Sequence, residues 1–153
     1  MNITELMTEH REEILTDAHE ALARSHVPHY DSAGEEVTRD RLAVLADLVA
    51  DAVAERDLTA ITTYCTKLAG ERFHAGFDIS EVQAAFNALE LVLWHQIVAG
   101  ASPEDLAEAI GMLSTVLGHS KDTLAREWVS LSSQRHVSSL DLSALFTGAA
   151  ASL

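Results

Sequence analysis

The sequence predicts an all-α domain of about five helices, of which the last is unusually long. Apolar residues recur three or four positions apart along most of the chain, which is the spacing of one face of an α-helix. Alternating apolar and polar runs bounded by hairpin turns are missing. The only two prolines, Pro28 and Pro103, both fall at boundaries between the periodic segments. These three observations favour helices throughout.

The first helix is predicted from about Thr4 to Ser25. Asn2 and Glu5 have the spacing of a capping box, in which each side chain accepts a hydrogen bond from the other residue's backbone. Pro28 ends the segment, because a residue before proline avoids the α-helical region. The predicted inner face consists of residues three or four positions apart: Ile3, Met7, His10, Ile14, Ala18 and Leu22.

Residues 26–33 are interpreted as a loop, and Ser32 as the N-cap of the second helix. The buried stripe of that helix is predicted to contain Leu42, Leu45, Val49 and Val53. The third helix follows a short break and ends at Gly76, which suits the left-handed position just after a helix. Its inner face is predicted to contain Leu58, Ile61, Cys65 and Leu68.

The fourth helix, over residues 79–98, has the clearest local start signal in the chain. Asp78 and Glu81 form a second predicted capping box, and Phe77 and Val82 have the spacing of a hydrophobic staple. The helix is apolar over most of its circumference, which indicates that it is central or contacts two surfaces. Its two apolar stripes are Val82, Phe86, Leu89, Leu93 and Ile97, and Ala84, Ala88, Leu91 and Val98.

The last helix is predicted to begin at Pro103, with Ser102 as its N-cap, and to run to about Gln134. At the standard helical rise this is roughly 45–50 Å, so the far end is expected to project or to pair with a second copy. We therefore divide the chain into a helical domain over residues 1–136 and a tail over residues 137–153 rich in Ser, Ala and Leu.

Composition limits the classes of partner. The chain has 153 residues, of which 48% are hydrophobic, enough for a single core. Its 24 acidic and 10 basic residues give a formal charge of −14, which repels phosphate backbones and anionic membrane surfaces. No apolar run is long enough to span a bilayer, and no signal peptide is recognisable. We expect a cytoplasmic protein that binds neither nucleic acid nor membrane.

No catalytic or metal-binding motif is recognisable, whether His-Glu-x-x-His, Walker loop, Gly-x-Ser-x-Gly or Cys-x-x-Cys. Cys65 is interpreted as a buried structural thiol, because it lies on an apolar helical stripe. His10 is interpreted as a hydrogen-bonded core histidine, and His26 and His29 as surface histidines. The sequence therefore predicts no enzyme and no metal site.

Two histidines are candidate ligand-binding residues. His95 follows Trp94 near the end of the most apolar helix, where it either lines a pocket or caps the core. His74 lies at the end of the third helix, beside Phe73 and Phe77. It either faces inward, in the apolar surround that a proximal haem ligand needs, or faces solvent, where positive charge near a helix C-terminus is favoured. Spacing alone favours the solvent-facing position.

A resemblance to a known family is carried by residues 68–94, which read LAGERFHAGFDISEVQAAFNALELVLW. They resemble the sensory N-terminal domain of the RsbR-type (RsbRD-like) stress-signalling proteins, and residues 10–15 and 27–30 fit as well. This resemblance implies a globin-like helical fold that has usually lost haem, binds input signals or partners, and often dimerises. The matching positions are Arg72, Gly76, Phe77, Asp78, Glu81 and Val82.

A second resemblance concerns residues 72–76, which are similar to the proximal segment of haem globin-coupled sensors, with a spacing one residue tighter. It implies that His74 is the iron ligand and Tyr30 a distal group. Phe73 and His95 are the further candidate cofactor-binding residues.

Three hypotheses of function follow. In the first, the chain is a non-enzymatic regulatory or sensory domain without cofactor, which binds a protein partner or a small-molecule signal and forms a homodimer. In the second, it is a haem-binding globin sensor with His74 as the proximal ligand. In the third, it is an adaptor or cargo protein that docks through its tail, Leu140 to Leu153.

Overall fold

The computed structural model describes residues 1–139, with side chains as far as Gln134. The all-α prediction is confirmed, although the described residues form seven helices where about five are predicted. The predicted docking tail, Leu140 to Leu153, lies outside the described residues. The helices are α1 (Ile3–Glu9), α2 (Arg11–Arg24), α3 (Pro28–Ala33), α4 (Glu35–Glu55), α5 (Thr59–His74), α6 (Ile79–Gly100) and α7 (Pro103–Ser139).

The predicted first helix is divided in two at His10, where φ is −102° and ψ is 17°. The predicted capping box at its start is confirmed. Asn2 Oδ1 accepts a hydrogen bond from the Glu5 N–H at 2.9 Å, and Glu5 Oε2 accepts one from the Asn2 N–H at 3.0 Å. The His10 side chain is half-buried, 3.1 Å from Glu13 Oε2, and not enclosed in the core. No proline or glycine marks this break in the sequence.

The predicted loop over residues 26–33 contains the short helix α3. Pro28 is its first residue, a position where the missing N–H costs nothing and the fixed φ suits a helix. Ser32 lies inside α3, so the N-cap of α4 is instead Gly34, which has a φ of +90°. The loop interpretation is wrong because the proline that ends one helical segment also begins the next.

The corner between α5 and α6 forms as predicted. Gly76 has a φ of +86° and lies immediately after the C-cap of α5. The Phe77 N–H donates to the Arg72 carbonyl oxygen at 3.0 Å, and the Gly76 N–H donates to the Phe73 carbonyl oxygen at 3.2 Å. This pair of hydrogen bonds is the Schellman motif, which satisfies the last carbonyl groups of a helix.

The core is built around α6, as its apolar circumference predicts. This helix packs against α1, α2, α4, α5 and α7. Its buried residues are Val82, Ala85, Phe86, Ala88, Leu89, Val92, Leu93 and Ile97. Cys65 of α5 is also fully buried, and burial raises the pKa of its thiol to about 11. Such a thiol is protonated at neutral pH, which agrees with the predicted structural role.

The last helix, α7, begins at the predicted Pro103 and spans 37 residues, roughly 55 Å at the standard helical rise. Its buried residues end at Leu124, and Trp128 is half-buried against the core. Val129 is 66% exposed. The end of α7 therefore extends past the packed core. None of the described helices combines the length and the apolar character needed to cross a membrane.

The left-handed corner gives a test of stability with an internal control. We expect Gly76→Ala to lower the free energy of unfolding by about 1 kcal/mol, because an L-side chain is strained at positive φ. Gly70→Ala, in the interior of α5, should raise it by about 0.5–1 kcal/mol through helix propensity. Both sites have open space for a Cβ atom. Urea unfolding measures both, and equal effects of the two substitutions contradict the prediction.

Candidate functional site

A small cavity lies where α3, α4, α5 and α6 meet, and we call it the arginine–tyrosine cavity. Its volume is about 20 Å³, enough for about one water molecule. Five side chains with hydrogen-bond donors line it: Tyr30, Thr38, Arg41, Tyr64 and Arg72. The remaining lining residues are Leu42, Leu45, Leu68, Ala85 and Phe86.

Helical periodicity explains why these side chains meet. Tyr64, Leu68 and Arg72 are four residues apart on α5, so they share one face of the helix. The short helix α3 is held to α4 by the Thr38 hydroxyl, which donates to the carbonyl oxygen of Tyr30 at 3.3 Å. This contact holds the backbone of α3 at Tyr30 beside α4.

The cavity carries positive charge and hydrogen-bond donors. Arg41 and Arg72 are both half-buried, and neither has a carboxylate partner among the described residues. Burial raises the pKa of Tyr30 to about 12, although Arg72 and Arg41 oppose the shift. Burial also raises the pKa of Tyr64. Both phenols therefore keep their protons at neutral pH and act as donors.

A second group of contacts holds α3 to the corner between α5 and α6. The His29 ring stacks on Phe77, with centroids 4.0 Å apart and an interplanar angle of 21°. His29 Nδ1 lies 2.5 Å from Glu81 Oε2, and the Asp78 N–H donates to Glu81 Oε1 at 3.1 Å. The Arg72 guanidinium lies 5.4 Å from the Phe77 ring centroid. His29, at 38% side-chain exposure, thus lies at the surface as interpreted and also joins two elements.

The four candidate residues from the sequence occupy different surroundings. Tyr30 is buried and lines the arginine–tyrosine cavity. The Phe73 ring packs edge-on against Trp128, with centroids 5.4 Å apart, and against His74 at 5.5 Å. His74 and His95 are both exposed. None of the described contacts joins either histidine to Tyr30.

These positions bear on the haem hypothesis. A proximal ligand needs an apolar surround, whereas His74 is exposed at the end of α5 and does not line the arginine–tyrosine cavity. In the part of the chain that the structure describes, no three His, Cys, Asp or Glu side chains are grouped to hold a metal ion. As placed, these residues do not fit a haem, and haem binding stays a prediction.

Arg41 and Tyr64 belong to the cavity but were not candidates from the sequence. The available signal was their spacing from core positions. Arg41 directly precedes the buried Leu42, and Tyr64 lies four residues before the buried Leu68. A half-buried arginine and tyrosine at the edges of two apolar stripes indicate a polar contact, although spacing does not show that the two meet.

Comparison with known proteins places the chain in a family. Residues 12–132 match the RsbT co-antagonist protein rsbRD N-terminal domain. The chain belongs to this family. The match runs from α2 to near the end of α7. Every residue of the arginine–tyrosine cavity therefore lies within the part of this RsbRD N-terminal domain that matches. The family is regulatory, and the resemblance to RsbR-type domains is confirmed. No curated protein and no solved structure matches the chain.

The contact between His29 and Glu81 predicts a pH-dependent effect on the stability of this RsbRD domain. The His29 hydrogen bond is the main cause that lowers the pKa of Glu81, followed by the Asp78 N–H. A carboxyl group whose pKa is lowered in the folded state stabilises the fold at pH values above its ordinary pKa. That stabilisation is lost as the pH falls through the lowered pKa. Glu81→Gln removes the charge but keeps an acceptor for the N-cap. We therefore expect it to lower the free energy of unfolding by only about 0.5–1 kcal/mol at pH 6.

Urea unfolding at pH 6 and at successively lower pH measures this difference, which should shrink as the pH falls. Glu71→Gln is the control, because Glu71 forms an exposed ion pair with Lys67 at 3.8 Å and such pairs contribute little. A difference that stays constant with pH contradicts a charge-dependent contact.

Native mass spectrometry of the domain expressed with added haem tests the cofactor hypothesis. Because His74 is exposed, we expect the mass of the protein alone. A mass excess that equals one haem, and that His74→Ala removes, establishes the globin-sensor alternative instead.

Proposed function

We propose that this domain is a non-enzymatic regulatory module that forms a homodimer through the outer face of α6 and binds a signalling protein. Membership of a regulatory family supports the first part. The family description names RsbT, and we therefore take an RsbT protein as the proposed partner. The observation that carries the dimer is a line of exposed apolar side chains on the helix at the centre of the fold.

The outer face of α6 is defined by Ala84, Leu91 and Val98, which are seven residues apart and therefore lie along one side of the helix. Ala84 is half-buried against the core, whereas Leu91 is 48% exposed and Val98 is 69% exposed. Neighbouring apolar residues that remain exposed along one line are typical of an interaction surface. The opposite side of α6 is fully packed, so this line is the part of its apolar circumference that the fold leaves uncovered.

Charge does not prevent two copies from meeting there, even though each carries a formal charge of −14. The two acidic residues of α6 are both engaged within the domain. Glu81 pairs with His29, and Glu90 pairs with Lys121 of α7. A two-fold axis beside α6 places the same apolar line on both sides of the contact, as a dimer of identical chains requires.

Sedimentation velocity on wild type and two variants tests the dimer. We expect a dimer at about 10 µM, and a dissociation constant at least tenfold higher for Leu91→Glu/Val98→Glu, equivalent to about 1.4 kcal/mol or more. The matched control is Val37→Glu/Val44→Glu, because Val37 and Val44 are 43% and 49% exposed, are seven residues apart and lie on a different helix, α4. A monomeric wild type, or an equal effect of the control, rules out this interface.

The partner part of the proposal is measured separately, by surface plasmon resonance with an RsbT protein from the same genome. We expect saturable binding of the RsbT protein to the wild-type domain, and the Val37→Glu/Val44→Glu variant serves as the reference. Absence of saturable binding to a folded domain contradicts RsbT as the partner and leaves the sedimentation result standing.

A further inference from the structure

We propose that the arginine–tyrosine cavity is a binding site for a small monovalent anion. The anion is held between the guanidinium groups of Arg41 and Arg72 and the hydroxyl groups of Tyr30 and Tyr64. This inference goes beyond the proposed function, because pairing through α6 does not require a ligand. It gives the domain an input site that is separate from the exposed apolar line on α6 and that is built from hydrogen-bond donors.

The first argument is that these two arginines are exceptions within the domain. Among the other basic residues with described side chains, Arg24 is exposed and the rest lie within 4.0 Å of a carboxylate: Arg11, Arg39, Arg56, Lys67, Lys121 and Arg126. The chain has 24 acidic residues for 10 basic ones, so a shortage of carboxylates does not explain the exception. Although the Arg72 guanidinium lies 5.4 Å from the Phe77 ring centroid, two half-buried arginines without an acid, in so acidic a chain, indicate an anionic partner from outside it.

The second argument is electrostatic. A charged group that loses water is costly unless an opposite charge or hydrogen bonds compensate it. Arg41 and Arg72 both line the cavity and carry the same charge, so an anion between them is attracted by both. The planar guanidinium group is suited to this role, because its N–H groups donate to an anion in parallel.

The third argument concerns the tyrosines. The hydroxyl groups of Tyr30 and Tyr64 make no hydrogen bond to a protein acceptor among the described residues. The Thr38 hydroxyl is already engaged with the Tyr30 carbonyl oxygen. The two tyrosine hydroxyl groups can donate as well as accept, and together with the guanidinium N–H groups they complement a species that accepts several hydrogen bonds.

Size narrows the ligand class. The cavity of about 20 Å³ is close to the minimum of about 10–15 Å³ that one water molecule needs. Apolar side chains form the remaining walls, among them Leu42 and Phe86, which are 1% exposed. A halide ion or the carboxylate of a short organic acid fits such a space, whereas a nucleotide or a haem does not.

Isothermal titration calorimetry with sodium formate, acetate and chloride tests the site in the full chain. Sodium methanesulfonate keeps the ionic strength constant and acts as a bulkier reference anion. We expect saturable binding with a stoichiometry of one per chain. Arginine Nε–Hε resonances in two-dimensional NMR give a second readout in the wild type, and two of them should shift along the same titration curve.

Three variants connect the binding to the cavity. Arg41→Gln should weaken binding at least tenfold, because it removes one of the two charges. Tyr64→Phe removes only a hydroxyl group and should weaken binding about threefold to tenfold. Arg24→Gln is the control with the same loss of charge at an exposed position, and it should bind like the wild type.

The outcomes separate the source of the anion from the existence of the site. Binding of chloride alone identifies an inorganic anion, and tighter binding of formate or acetate identifies an organic acid; both support the proposal. No saturable binding to wild type, or an equal loss in Arg24→Gln, overturns it. Neither result affects the sedimentation test of the α6 dimer, which is measured without these ligands.

Discussion

The burial of α6 is the constraint on which the rest of the structure depends. A helix of 22 residues that is apolar on most of its circumference must be covered on nearly every side, since each fully buried large apolar side chain contributes roughly 1.5–3 kcal/mol. Five other helices pack against it. What they leave uncovered, Leu91 and Val98, is the surface that we assign to the homodimer.

The corner between α5 and α6 positions side chains of the arginine–tyrosine cavity. Gly76 follows the C-cap of α5 and Asp78 is the N-cap of α6, so the last turn of α5 lies beside the first turn of α6. That arrangement brings Arg72 to the cavity and lets Glu81 reach His29. The helix α3 has only six residues, too few to be stable alone, so side-chain contacts such as these hold Tyr30 in place.

Charge is distributed unevenly over the domain. Several ion pairs join different helices at the surface, where each contributes little free energy but opposes misalignment of its two helices: Arg11–Asp47, Arg39–Glu12 and Lys121–Glu90. The arginine–tyrosine cavity is the contrast, a local excess of positive charge in an acidic chain. The uncharged line on α6 and the cationic cavity are the two separate places that we propose for recognition.

The sequence by itself determined the features that depend on neighbouring residues. The capping boxes at Asn2 and Asp78, the left-handed Gly76 and the apolar stripes of α6 are local, so one chain segment is enough to predict them. Tertiary structure decided the break at His10, which no residue marks, and the meeting of Arg41 on α4 with Tyr64 on α5. Such contacts depend on how the helices pack, and the spacing of residues along the sequence does not show which distant residues meet.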